Sequence, residues 1–112
     1  MAKSRVKICD DLWSKAVHER AGGKCEFCGS EKRLQSHHVI PRTNYATRYL
    51  LENGVRLCYK HHFFWAHKDA LDFSNWFKHH RNNDYFKIEN VRHSQEKNNY
   101  EEIEHKLKEY LK

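Results

Sequence analysis

The sequence holds one proline, four glycines and one methionine in 112 residues, and no apolar run longer than Phe63-Phe64-Trp65-Ala66. A membrane-spanning helix needs about 20 predominantly apolar residues, so a transmembrane helix is excluded. Met1-Ala2-Lys3-Ser4-Arg5 is not followed by an apolar stretch, so the expectation is a cytoplasmic protein without a secretory signal. Hydrophobic residues make up only 38% and mean hydropathy is −1.05, which rules out a large apolar core. The length fits one small domain spanning residues 1–112. No repeat or low-complexity linker interrupts it. Aromatic residues, at 13%, argue for a folded chain.

Charge and histidine are abundant. The net charge is +6, and its excess is concentrated at the front: residues 1–48 carry ten bases and five acids, whereas residues 94–112 carry four and five. Such a basic front half suits a polyanionic partner, although ordinary solubility charge gives the same composition. Ten histidines bring side chains that titrate near pH ~6.5, the range useful for metal ligation and proton transfer.

The four cysteines are Cys9, Cys25, Cys28 and Cys58. Cys25-Glu26-Phe27-Cys28 is a C-x2-C knuckle followed by Gly29, which permits the tight turn that aims two thiolates at one ion. Cys58-Tyr59-Lys60-His61 repeats the spacing, with His61 as the last ligand and His62 adjacent. Together they supply the four N/S ligands of a closed structural zinc site. A redox dithiol would need a βαβ context that the chain does not show. A chain this short and polar also needs such a staple. Cys9 is expected to be a free thiol.

The coarse reading is α+β. A helix is expected over residues 10–21, capped by Asp10 or Asp11 and stopped by Gly22-Gly23. Leu34 to Ile40 reads as a strand, ending near Pro41. Val55 to Cys58 reads as its partner, preceded by the turn signal Asn53-Gly54. Helices follow over Tyr59 to His67 and Leu71 to His80, the second capped by Asp72. Residues 81–93 read as irregular and Gln95 to Lys112 as a helix, whose apolar stripe either packs on the domain or forms a dimer.

In this order, C-x2-C, strand, His37-His38, loop, Asn53, strand, C-x2-H, His62 and helix, the chain resembles the HNH endonuclease family. The resemblance rests on Cys25 and Cys28, Leu34 through Arg42, Asn53, and Leu57 through His62, and covers about residues 12–68. His38 stands 15 residues before Asn53 and 24 before His62, similar to the family's spacing, that of colicin-type DNases included. The resemblance implies a small ββα-metal (HNH) core with a zinc-binding knuckle, flanked by N-terminal and C-terminal helices, the latter an extension over about residues 69–112. It implies a metal-dependent DNA endonuclease that hydrolyses phosphodiester bonds. His38 would be the general base, His37 and His62 the ligands of one catalytic divalent ion, and Asn53 the residue that orients the loop and His38. It also implies structural Zn²⁺ beside a second ion. Imidazole ligands suit Mn²⁺ or Ni²⁺ at least as well as Mg²⁺.

Two departures stand out. The fourth zinc ligand, usually Cys in the family, is His61. The third histidine that some members place four residues after the His62 position is Ala66, with His67 one further on. Five residues turn roughly 140° around an α-helix, so His67 reaches the ion only if the helix is distorted, and a phosphate contact or surface place is the simpler expectation. Arg42, four residues after His38, is the candidate scissile-phosphate contact, and Lys32, Arg33, Arg48 and Arg56 are candidate DNA-backbone contacts. Phe63, Phe64 and Trp65 suit base stacking, but such a run in a small domain is more often core. Compact bacteriophage-encoded members are the nearest analogy. They imply DNA and other phage DNA-processing proteins as partners, host cytoplasm as location, and a monomer or weak dimer. The competing readings are a non-enzymatic zinc-containing nucleic-acid-binding module and a nuclease for branched DNA or RNA.

Overall fold

The computed structural model describes residues 4–112. Ser4 opens the first helix: its hydroxyl accepts from the backbone N–H of Lys7 at 3.1 Å, satisfying one of the donors that a helix start leaves unpaired. The helix, α1, therefore runs Arg5–Arg20, five residues longer at its front than expected, and Asp10 and Asp11 lie inside it rather than capping it. Gly22 and Gly23, at φ 69° and 72°, end it where the sequence places the stop.

β1 (Leu34–His38) and β2 (Gly54–Cys58) form a two-stranded antiparallel sheet in which His37 faces Val55 and His38 faces Gly54. β1 stops two residues short of the expected strand. The connection is a loop of residues 39–53 ending in a 3₁₀ turn, Leu51–Asn53, so Asn53-Gly54 is not a tight hairpin turn. Gly54 has φ −113°, open to any residue, and is required for another reason. A Cβ there would lie 2.3 Å from Val17 Cγ2 and 2.9 Å from Trp13 Cζ2, so the glycine lets α1 approach the sheet.

After β2 the chain turns into α2 (Tyr59–His61) and a π-helical turn, His62–Ala66, then α3 (Ala70–His80), α4 (Asn82–Val91) and α5 (Tyr100–Tyr110). α4 corrects the irregular reading of residues 81–93. Its Asn-rich start hides a helix tied down by tertiary contacts: Ile88 is buried, and Arg81 bonds Asp84, Glu26 and the Gly54 carbonyl. Asp72 does not cap α3 but accepts from the Trp65 indole at 2.7 Å. α5 starts five residues later than expected, where the Asn99 side chain accepts from the Glu102 N–H.

The sheet separates two small cores. Val55 and Leu57 meet Phe73, Phe77 and Ile88 on one side. On the other, Cys9, Trp13, Ala16 and Val17 of α1 pack with Tyr49 and Leu107. The apolar stripe of α5 thus closes on α1 within the domain. Full burial of each large side chain contributes about 1.5–3 kcal/mol, and these few leave the fold reliant on other ties. Among the described residues no helix is long and apolar enough to cross a membrane.

Candidate functional site

The knuckle is built as the cysteine spacing requires. Gly29, at φ 79°, closes the turn with its N–H on the Cys25 carbonyl at 2.9 Å. The Glu26 N–H donates to the Arg56 carbonyl, and the Arg56 N–H donates back to the Glu26 carboxylate at 2.7 Å, so the knuckle docks on β2. Cys25, Cys28, Cys58 and His61 then offer ligand atoms all within 4.8 Å of one another. The Cys28 and Cys58 sulfurs are 3.8 Å apart, and His61 Nδ1 lies 3.2 Å from Cys58 Sγ. Zn–S bonds of about 2.3 Å give a tetrahedral S···S edge of about 3.8 Å, so the donor set fits a structural zinc ion. Burial alone would raise the Cys25 thiol, but backbone groups of Cys28, Cys58 and Phe27 bonded to its sulfur bring it below the ordinary value, toward the thiolate a metal binds.

A second cluster unites His37, His62 and His67, whose ligand nitrogens also lie within 4.8 Å of one another. The π turn is what recruits His67. Its N–H bonds back five residues to the His62 carbonyl, and this wider turn carries the His67 ring round to His62, with their Nε2 atoms 3.0 Å apart. Two nitrogens at about 2.1 Å from one ion and 90° apart would be separated by about 3.0 Å, so the pair fits a shared cation. His62 Nδ1 donates to the Gln35 side-chain oxygen, which fixes its tautomer with Nε2 turned to the cluster. His37 stands edge-on to both rings, with centroids 5.1 Å away, and rests against Phe73. Burial, then the neighbouring imidazoles, pushes His37 down to about 3, and burial together with His67 pushes His62 down to about 4. Both are therefore neutral, the ligating form, at pH 7.

His38 points to the opposite face of β1, toward α1. Its ring stacks on Trp13 with centroids 3.8 Å apart and planes within 7°, and Nε2 bonds the Arg48 carbonyl at 3.0 Å. Because the strand ends at His38, both neighbours still reach one pocket of about 580 Å³, lined also by Arg42, His62, His67 and Phe73. Burial lowers the His38 pKa below its ordinary value. Asn53 is wholly buried; its Oδ1 accepts from the Ile40 N–H at 2.8 Å, and its Nδ2 donates to the Ile40 carbonyl at 3.0 Å. It pins the backbone two residues past His38.

Comparison with protein-family models, curated proteins and solved structures finds no match.

The predicted basic residues divide. Arg42 is exposed at the pocket and, among the described residues, has no hydrogen-bond or ion-pair partner. Arg33 is exposed over the Tyr59 ring. Arg48 and Arg56 are not offered to a backbone. Arg48 forms a two-point ion pair with Asp10 and is 13% exposed. Arg56 is turned to His18 and Ser36 on the α1 face. An α-helical wheel lets His67 reach the cluster only if the helix is distorted, and the π turn is that distortion. Sequence reasoning missed Trp13 and Gln35, whose roles depend on α1 crossing the sheet and on β1 alternation.

Proposed function

We propose that this protein is a metal-dependent DNA endonuclease built on a ββα-metal core of the HNH type, braced by structural zinc at Cys25, Cys28, Cys58 and His61. The observation that carries the reading is the convergence of His37, His62 and His67 beside an immobilised His38 in one pocket with an exposed arginine. A zinc-containing binding module has no use for three imidazoles converging next to a fourth that is stacked and hydrogen-bonded. Bacteriophage-type nucleases, which work on DNA in host cytoplasm, are an analogy for it.

His37, His62 and His67 would hold the divalent ion, which when bound supplies charge neutralisation at the phosphate oxygens. Imidazole donors favour Mn²⁺ or Ni²⁺ over Mg²⁺ there. With its Nε2–H on the Arg48 carbonyl, His38 keeps Nδ1 unprotonated and takes the proton of the attacking water there. Trp13 and Asn53 are positioning residues: one fixes the ring plane, the other the backbone that follows it. Arg42 binds a phosphate oxygen.

The test is conversion of supercoiled plasmid by the zinc-loaded protein with Mn²⁺, Ni²⁺, Mg²⁺ or EDTA, beside His38→Ala. Relaxed or linear product is expected with Mn²⁺ or Ni²⁺ and none with EDTA. His38→Ala should fold and bind DNA but turn over roughly 10²–10⁴-fold more slowly. A folded wild type that binds DNA and cuts nothing would establish the binding module instead.

A further inference from the structure

Two aromatic rings on the outside of the α2 and π-turn segment are left largely uncovered by the fold, and a third, Tyr59, is half-buried beside them. Phe63 is 45% exposed and Phe64 56%, whereas Trp65, next in sequence, is turned inward onto Phe73 and Trp76. Tyr59 joins them, 5.1 Å from Phe63 and 6.2 Å from Phe64. Cations frame the group: the Arg33 guanidinium lies 4.9 Å from the Tyr59 centroid and the Lys68 ammonium 4.9 Å from that of Phe64, and Lys60, next to Tyr59 in sequence, is exposed. None of the three cations is in an ion pair among the described residues. The strip also runs into the histidine cluster, with Phe63 6.3 Å from His62 and 6.0 Å from His67.

We infer that Tyr59, Phe63 and Phe64 form a stacking platform for unpaired DNA bases flanking the phosphate held at the histidine cluster. The placement beside the cleaved bond rests on the nuclease reading; the platform itself rests on the exposed rings and their cations. Uncovered ring faces accept the flat face of a base, which an intact duplex hides between its neighbours. Arg33, Lys60 and Lys68 match the phosphates that link successive bases. An apolar protein partner would have to desolvate all three cations, so the charge pattern favours a polyanion. An exposed cation–π contact is weak beside base stacking, so Arg33 and Lys68 can move to phosphates as bases arrive. The substrate class that follows is DNA with single-stranded character at the cut: gaps, flaps or junctions.

The experiment measures binding by fluorescence anisotropy in buffer without added divalent ions. It uses the full-length, zinc-loaded protein and three probes: a paired duplex, the same duplex with a short central gap, and an oligo-dT strand. Wild type is expected to bind gapped and single-stranded probes about 10-fold or more tighter than duplex, the order of one good base stack. Phe63→Ala/Phe64→Ala removes exposed rings, so it should melt like wild type, and it should lose that preference while duplex binding changes little. Phe64→Trp should retain the preference and show indole quenching by oligo-dT. Equal affinity of wild type for all three probes overturns the inference, as does a double variant that keeps the preference. So does a variant that changes only the sedimenting mass, which would make this face a contact between two copies. Plasmid cleavage by wild type and His38→Ala is scored separately. Absence of cutting with an intact gap preference removes the nuclease reading and leaves the platform standing.

Discussion

Asn53 has no exposed surface, and both ends of its amide engage one residue, Ile40. Asn53→Ala would leave a buried N–H and a buried carbonyl without partners, each costing about 1–3 kcal/mol. Urea unfolding should show a loss of at least about 2 kcal/mol, with an unchanged slope. Cys9 gives a second prediction. It is buried, its thiol bonds the Tyr100 carbonyl, and burial, then Glu104 and Asp10, raises its pKa. In the zinc-loaded native protein Cys9 should resist a thiol reagent at pH 7.5 and react only in denaturant. Rapid single-site labelling of Cys9 by native protein would contradict this packing. Residues whose type is dictated by chemistry were legible in this way from the sequence: Cys25, Cys28, Cys58 and His61 are brought together at ligand distances. The fates of Arg48 and Arg56 were not, because Asp10 and His18 become their partners only when α1 lies across the hairpin.

At the scale of elements, the site depends on how closely α1 crosses the sheet and on how the chain turns after β2. Gly54→Ala would push a methyl into Val17 and Trp13, and such overpacking costs about 1–3 kcal/mol. Because Trp13 is also the ring on which His38 stacks, the variant should lower kcat more than it raises KM. Equal stability and activity to wild type would mean that the helix is not seated so tightly. The sequence signal Asn53-Gly54 correctly marked a special position but suggested the wrong cause: a turn, where the need is close approach. The π turn is similarly invisible to an α-helical wheel, since it is fixed by packing of Trp65 and Ala66 and by the five-residue hydrogen bond to His62. His67→Ala checks its consequence. Cleavage should need a higher Mn²⁺ concentration, by about 10-fold or more, with melting unchanged, because His67 is an exposed member of the cluster.

On the scale of the whole molecule, two clusters able to hold a metal ion hang on one connection. Cys58 and His61 belong to one cluster and His62, the next residue, to the other, so β2 and α2 carry both. The two donor sets differ in kind. Three thiolates and an imidazole would close the coordination of a zinc ion, whereas three imidazoles would leave positions open and bind a cation less firmly. The apolar cores are small, so zinc bound at the Cys25, Cys28, Cys58 and His61 cluster would also carry part of the folding free energy. Chelation should therefore act in two separable steps. Millimolar EDTA should stop cleavage within minutes while far-UV circular dichroism and the melting temperature hold, and added Mn²⁺ should restore cutting. Zinc released by a mercurial thiol reagent in the presence of a chelator should collapse the cooperative melt, and Mn²⁺ should restore nothing until the thiols are freed and zinc is returned. Recovery of cleavage by Mn²⁺ alone after measured zinc release would show that the knuckle is not needed to hold His62 in place. The two-centre arrangement argued from Cys58, His61 and His62 would then fail.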